Sequence, residues 1–187
     1  MALVDRDRIR DNYDGLVARL GQDAAAGLVR PSVTARLIRD VTVESTFIQY
    51  DREFRFVGDE AVSRGGHEEG PSPMRYFLSG LAFCLEGWYA KGSAAVSCEV
   101  DGLELELRTL LDMRGEHLVD DVPPHPTWIV AEARVNSPSP TETVLAMIDW
   151  GDARCPLGSL VRQAIPIHGR VLHNGTVVRD DVPPGLE

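Results

Sequence analysis

Apolar positions along this chain change period several times, and each change marks an element. Between 5 and 29, DRDRIRDNYDGLVARLGQDAAAGLV, the residues Ile9, Tyr13, Leu16, Val17 and Leu20 recur at helical spacing on an otherwise charged segment. The spacing predicts an amphipathic helix that packs on the domain or on a second subunit. From Pro31 the texture becomes β-branched and alternating, in SVTARLIRD, VTVESTFIQY and EFRFVGD, which predicts two or three antiparallel strands joined by turns. VSRGGHEEGPSP is a polar loop rich in Gly, and it ends in Ser72-Pro73, a cap followed by proline at a first helical position. From Pro73 to about Ala90 nearly every residue is apolar or small, with Phe77, Leu81, Cys84, Leu85 and Trp88 on one face. Ser79, Gly80 and Ala82 would allow close approach, so this segment reads as a central helix surrounded on most sides. Strands are expected at 96–100, 103–113 and 127–136, a helix at 141–150, another from Cys155 to Ala164, and a last strand over 165–175.

That order, a helix, a β-meander, a buried helix, more strands and then two helices and a strand, is an α+β pattern rather than strict βαβ alternation. It divides the chain into a helical extension over 1–30, one domain over 31–174 and a tail over 175–187, of which RDDVPPGLE looks loose. A net charge of −10 argues against nucleic acid or an anionic membrane as partner. With no apolar signal core and no apolar run long enough to span a bilayer, the chain is expected to be cytoplasmic.

Chemistry is carried by thiols. Three cysteines in a reducing compartment do not make a disulfide framework, so each is judged singly. In GDARCPLGSL, Cys155 precedes a proline that suits the first helical position, and the cysteine therefore reads as the helix N-cap. Backbone N–H groups and the positive helix end there lower a thiol's pKa. Cys84 lies near the middle of the buried helix, and Cys98, in AVSCEVDG, reads as a strand residue with no chemical role. His67, His117, His125, His168 and His173 lack the close spacing of a zinc site, and no G-x-S-x-G elbow or glycine-rich phosphate loop is present. No metal and no cofactor are expected.

GPSPMRYFLSGLAFC followed much later by RCPLGSLVRQAIPI resembles the OsmC/Ohr superfamily, the osmotically induced and organic hydroperoxide resistance proteins, over about residues 33–172. The resemblance implies antiparallel sheets around a buried central helix in an intertwined homodimer. It also implies a thiol-dependent peroxidase acting on small apolar hydroperoxides. Cys84 would be the peroxidatic nucleophile and Cys155 the resolving thiol, with an external dithiol, a dihydrolipoyl protein in characterised relatives, as reductant. Cys84 is about 16 Å along its helix from the first turn, too far for that helix's dipole to act on it, so its thiolate needs a cation. Arg39, in LIRDVT, is the best positional match to the family's arginine, with Arg36 and Arg55 as alternatives. The family's supporting carboxylate would fall where this chain has Met74, and Glu68 or Glu69 could replace it. Met74 also leaves open a binding protein without peroxidase chemistry, and the cap at Cys155 leaves open other thiol chemistry that begins there.

Overall fold

The computed structural model describes residues 3–164 and 166–185, so Ile165, where the last strand was expected to begin, lies outside the described residues. The chain divides into two compact units, one of residues 18–80 and one of the 1–17 segment with 81–187. Two helices, α1 (Arg6–Gln22) and α2 (Pro73–Ala95), pass from one unit into the other.

The smaller unit is built on the antiparallel meander β1 (Thr34–Arg39), β2 (Thr42–Gln49) and β3 (Arg52–Gly58). Gln49 pairs with Arg52 across Tyr50 and Asp51, both at positive φ, which is the backbone of a tight two-residue hairpin. Alternation puts Phe47, Phe54 and Phe56 on one face, where Phe47 stacks on the other two at 5.4 and 5.7 Å. Tyr76, from the first turn of α2, meets Phe56 edge-on and donates its hydroxyl to the Val57 carbonyl at 2.8 Å. The 59–70 loop is anchored on a buried carboxylate: Asp59, 1% exposed, accepts the N–H groups of Glu60, His67 and Glu69. Those bonds hold its carboxyl below the usual range against the opposing effect of burial. A Cβ at Gly66 would sit 1.9 Å from the Glu60 carbonyl oxygen, so the tight turn requires glycine there.

The larger unit carries the sheet β4 (Gly102–Thr109), β5 (Ile129–Asn136), β6 (Ile167–His173) and β7 (Thr176–Asp180), in that order. The pair β5·β6 is parallel and its neighbours antiparallel, so the sheet is mixed rather than wholly antiparallel. A short helix, α3 (Met113–Glu116), follows β4, and α4 (Thr141–Asp152) and α5 (Pro156–Ala164) connect β5 to β6. Leu81 and Leu85 of α2, Ile129, Val130 and Val135 of β5, and Val144, Met147 and Ile148 of α4 form the core.

Three expectations change. Residues 96–100 form a turn after α2 rather than a strand, and Cys98 in it is buried. Thr176–Asp180 is a strand, so the expected domain end at 174 falls inside the β6–β7 hairpin. Within one chain α2 is covered along one stripe only: Leu81, Leu85 and Tyr89 are buried, whereas Phe83 is 73% exposed. Close approach also occurs elsewhere than expected. Outside the backbone of its own helix, no atom of the described residues lies within 4 Å of a Cβ at Gly80, while one at Gly92 would sit 2.6 Å from the Met147 carbonyl oxygen.

Candidate functional site

Cys155 occupies the elbow between α4 and α5. Its N–H donates to the Gly151 carbonyl at 2.9 Å as α4 ends, and its carbonyl accepts from Ser159 at 2.8 Å as α5 begins. Pro156 is the first residue of α5, and the Gly158 N–H donates to Cys155 Sγ at 3.2 Å. The sulfur therefore does the work a Ser or Asp oxygen does at an ordinary N-cap. A Cβ at position 158 would lie in ordinary contact with that sulfur at 3.4 Å and would press on the Arg162 guanidinium at 3.2 Å, which would have to give by a few tenths of an ångström.

The elbow brings Cys155 onto the side of α2 that carries Cys84. The Cys155 thiol donates to Cys84 Sγ at 3.1 Å, and both cysteines are free. A disulfide bond is about 2.05 Å, so roughly 1 Å of closure separates this contact from a covalent link. The two thiols differ in access: Cys155 is completely buried, and Cys84 is half-buried.

The expected lowering of the Cys155 pKa is overturned. Burial, and then the hydrogen bond to Cys84, push this thiol from an ordinary 9.0 up to about 11, with the Gly158 N–H acting in the opposite direction. Cap donors are real, but an enclosed sulfur loses more from desolvation than the Gly158 and Leu157 N–H groups return. In the unfolded chain this thiol ionises near pH 9.0, and in the native chain near 11. The unfolded state thus binds fewer protons between those values, and stability falls as pH rises through that window. Thermal unfolding measured from pH 8 to 11 should show this fall, reduced in a Cys155→Ala variant.

Tyr89, five residues beyond Cys84, donates its hydroxyl to Asp152 Oδ1 at 2.9 Å. Arg162 Nη2 lies 3.2 Å from the same oxygen, and its Nη1 donates to the Asp152 carbonyl at 2.9 Å. The Tyr89 hydroxyl titrates far above its ordinary range because it is buried and faces the Asp152 carboxylate. These three side chains tie α2, the end of α4 and α5 together around the elbow, and they border a cavity of about 140 Å³ floored by Leu85, Ala131 and Ile148. Sequence reading missed this cluster. Its only mark was the spacing of Asp152 and Arg162 on either side of Cys155.

In the smaller unit the three candidate arginines separate. Arg36 and Arg55 both pair with Glu44, a strand carboxylate 3% exposed, and their charges hold its pKa down against burial. Arg39 pairs instead with Glu69, one of the two carboxylates expected to stand in at Met74. Glu68 faces the Val62 N–H, and His67 Nε2 lies 2.8 Å from Asp40. Cys98 is fully buried, with Sγ 3.5 Å from the Glu99 carbonyl and 3.9 Å from Ser137 Oγ.

No helix among the described residues is long and apolar enough to cross a membrane. A search of curated proteins gave no match. Among solved structures, an OsmC-like protein from Mycoplasma pneumoniae is 19% identical with a TM-score of 0.66, covering 78% of this chain and 97% of its own. An OsmC-like protein of unknown function from Vibrio cholerae is 12% identical with a TM-score of 0.61, covering 78% of this chain and 100% of its own. An organic hydroperoxide resistance protein OsmC from Legionella pneumophila is 14% identical with a TM-score of 0.56, covering 78% and 98%. At these identities the similarity establishes the α+β fold. The OsmC family model, described as OsmC-like protein, matches residues 66–168, more than half of the sequence and the stretch that contains both contacting thiols. This chain belongs to the OsmC-like protein family.

Proposed function

We propose that this protein is a thiol-dependent peroxidase that reduces small apolar hydroperoxides through Cys84 and Cys155. The observation that carries the reading is the 3.1 Å contact between two free sulfurs, one accessible and one enclosed. The Cys84 thiolate attacks the distal peroxide oxygen. The O–O bond breaks, the alkoxide takes a proton and leaves as the alcohol, and the sulfur becomes a sulfenic acid. Cys155 then attacks that sulfur, and its proton leaves with the hydroxyl group as water while the disulfide forms. An external dithiol, such as a dihydrolipoyl protein, returns two electrons and two protons.

The difference in access supports this order of events. A buried thiol with a raised pKa is a poor first nucleophile, but it is well placed to meet an oxidised neighbour already in contact. Arg39 is assigned as the cation that supports the Cys84 thiolate, on the ground that it pairs with Glu69, one of the two carboxylates that could replace the one this chain lacks at Met74. A homodimer in a cytoplasmic, reducing setting completes the reading. Its support is apolar surface that one chain leaves uncovered, with Ile48 and Tyr50 of the meander 78% and 79% exposed and Phe83 of α2 73% exposed.

Titrating the reduced protein with cumene hydroperoxide and counting thiols tests the proposal. Two of the three thiols per chain should disappear, in a species whose native mass is that of two chains. Retention of all three would leave the scaffold as a binding protein, the reading that Met74 favours. Loss to an electrophile but not to peroxide would mean other thiol chemistry.

A further inference from the structure

The amino-terminal helix builds a cleft that the redox pair does not use. Arg6 donates to the Ser97 carbonyl at 2.9 Å and Arg10 to the Ala94 carbonyl at 2.9 Å, so the start of α1 lies against the carboxyl end of α2. Carbonyls at a helix end lack partners in the helix, and guanidinium groups complement its negative pole. Between α1, α2 and α4 lies a cavity of about 320 Å³, at the lower end of the roughly 300–1,000 Å³ range of small-molecule sites.

Its aromatic walls are Tyr13 and Trp150, whose rings meet edge-on at 5.4 Å, and Trp150 in turn lies 5.8 Å from Trp88. Arg10, Lys91 and Arg154 line it against one carboxylate, Asp14, in a chain whose net charge is −10. Arg10 is partly neutralised by Asp7 at 3.2 Å. Lys91 and Arg154 have no carboxylate partner among the described residues. Lys91 Nζ lies 4.1 Å from the centre of Trp88, and the Arg154 guanidinium 4.2 Å from the centre of Trp150. Arg154 Nη1 also donates to the Trp150 carbonyl at 3.1 Å, so ring and carbonyl position these cations while the remaining N–H donors can face an anion. The wall from Ile9 to Asp14 lies outside the segment that matches the family, whereas Lys91, Trp150 and Arg154 lie within it. The cleft also adjoins the redox pair, since Trp88 is one turn beyond Cys84 and Arg154 precedes Cys155.

We propose that this cleft binds a small organic anion with a planar apolar body, a carboxylate carried on an aromatic ring. The ring would lie against Trp150 and Tyr13, with the carboxylate between Lys91 and Arg154. The site is independent of the peroxidase reading, because the ligand need not react.

The test is calorimetric titration of the full reduced chain with 2-naphthoate and with neutral 2-naphthalenemethanol. Naphthoate should bind saturably and about tenfold more tightly than the alcohol. It should lose about tenfold in the Lys91→Met, Arg154→Met double variant, which keeps the alkyl stems over both indoles while removing two ion pairs. Because Lys91 is the single lysine of the chain, naphthoate should also protect it from an amine-directed reagent, read on its peptide by mass spectrometry. Equal affinity for acid and alcohol, no saturation at millimolar concentration, or an unchanged double variant would overturn the proposal. So would a change in native mass in the double variant without naphthoate binding in the parent, since the cleft would then be a protein interface.

Discussion

Changing Cys84 to serine is expected to lower cumene hydroperoxide consumption by about 10³-fold or more, because no other accessible thiol can take over the first step. Cys155 is completely buried, its thiol pKa stands near 11, and Cys98 is fully buried in a turn at the end of α2. The Cys155→Ser variant should behave differently. It keeps the accessible sulfur, so it should consume one equivalent of peroxide per chain and then stop unless an external thiol is supplied. Arg39→Ala should slow the first step by about 10²–10³-fold, the usual cost of removing one charge-stabilising group from a reacting centre. Single-turnover measurements separate the steps, with sulfenic acid formation followed by dimedone trapping and disulfide formation by thiol loss. If Cys84→Ser and Cys155→Ser both consume peroxide as fast as the parent, the two-thiol cycle is wrong. If Arg39→Ala alone leaves the first step untouched, the cation lies elsewhere.

Replacing Gly151 by valine should destabilise the protein by about 2 kcal/mol and slow disulfide formation. A side chain in place of a helical glycine ordinarily helps, by up to about 1 kcal/mol for alanine. Packing reverses the sign here. A Cβ at Gly151 would lie 2.6 Å from Tyr89 Cδ1 and 3.0 Å from the Trp88 backbone carbon. Neither atom is the free end of a flexible side chain, since the Tyr89 hydroxyl is fixed on Asp152. The added carbons must therefore move α4 away from α2 by several tenths of an ångström or more. The Cys155 N–H is bonded to the Gly151 carbonyl, so this shift carries the Cys155 sulfur away from Cys84. Gly15→Ala in α1, where no atom of the described residues outside the helix's own backbone lies within 4 Å of the new carbon, is the control and should be neutral or stabilising. Urea unfolding and the rate of thiol loss after one equivalent of peroxide would check both effects. A valine variant with the parent's midpoint and rate would mean that the close α2–α4 approach does not set the sulfur contact.

Much of the architecture was legible because local periodicity and punctuation agree in this chain. Alternation over 41–50 and 53–59 marks β2 and β3, the apolar run after Ser72-Pro73 marks α2, and Cys155-Pro156 marks the start of α5. Where the reading missed, the signal was local but the outcome was not. Val96 to Val100 is apolar enough for a strand, yet it closes the turn after a helix that runs on to Ala95. The Thr176–Asp180 strand was hidden in a segment whose charges suit a tail, and pairing with β6 is what makes it a strand.

Sequence by itself determined which residue types stand at element boundaries. It placed Cys155 at an N-cap and Cys84 on the apolar helix, and it offered Glu69 among the carboxylates for Arg39. Only the tertiary structure decided the state of the thiols. The pKa of a capping sulfur depends on whether water reaches it, and that depends on α2, α4 and α5 closing around it through Gly151, Tyr89, Asp152 and Arg162. The cap motif fixes the donors around the sulfur. Burial, which comes from residues distant in the chain, fixes the dielectric, and for Cys155 desolvation outweighs the cap.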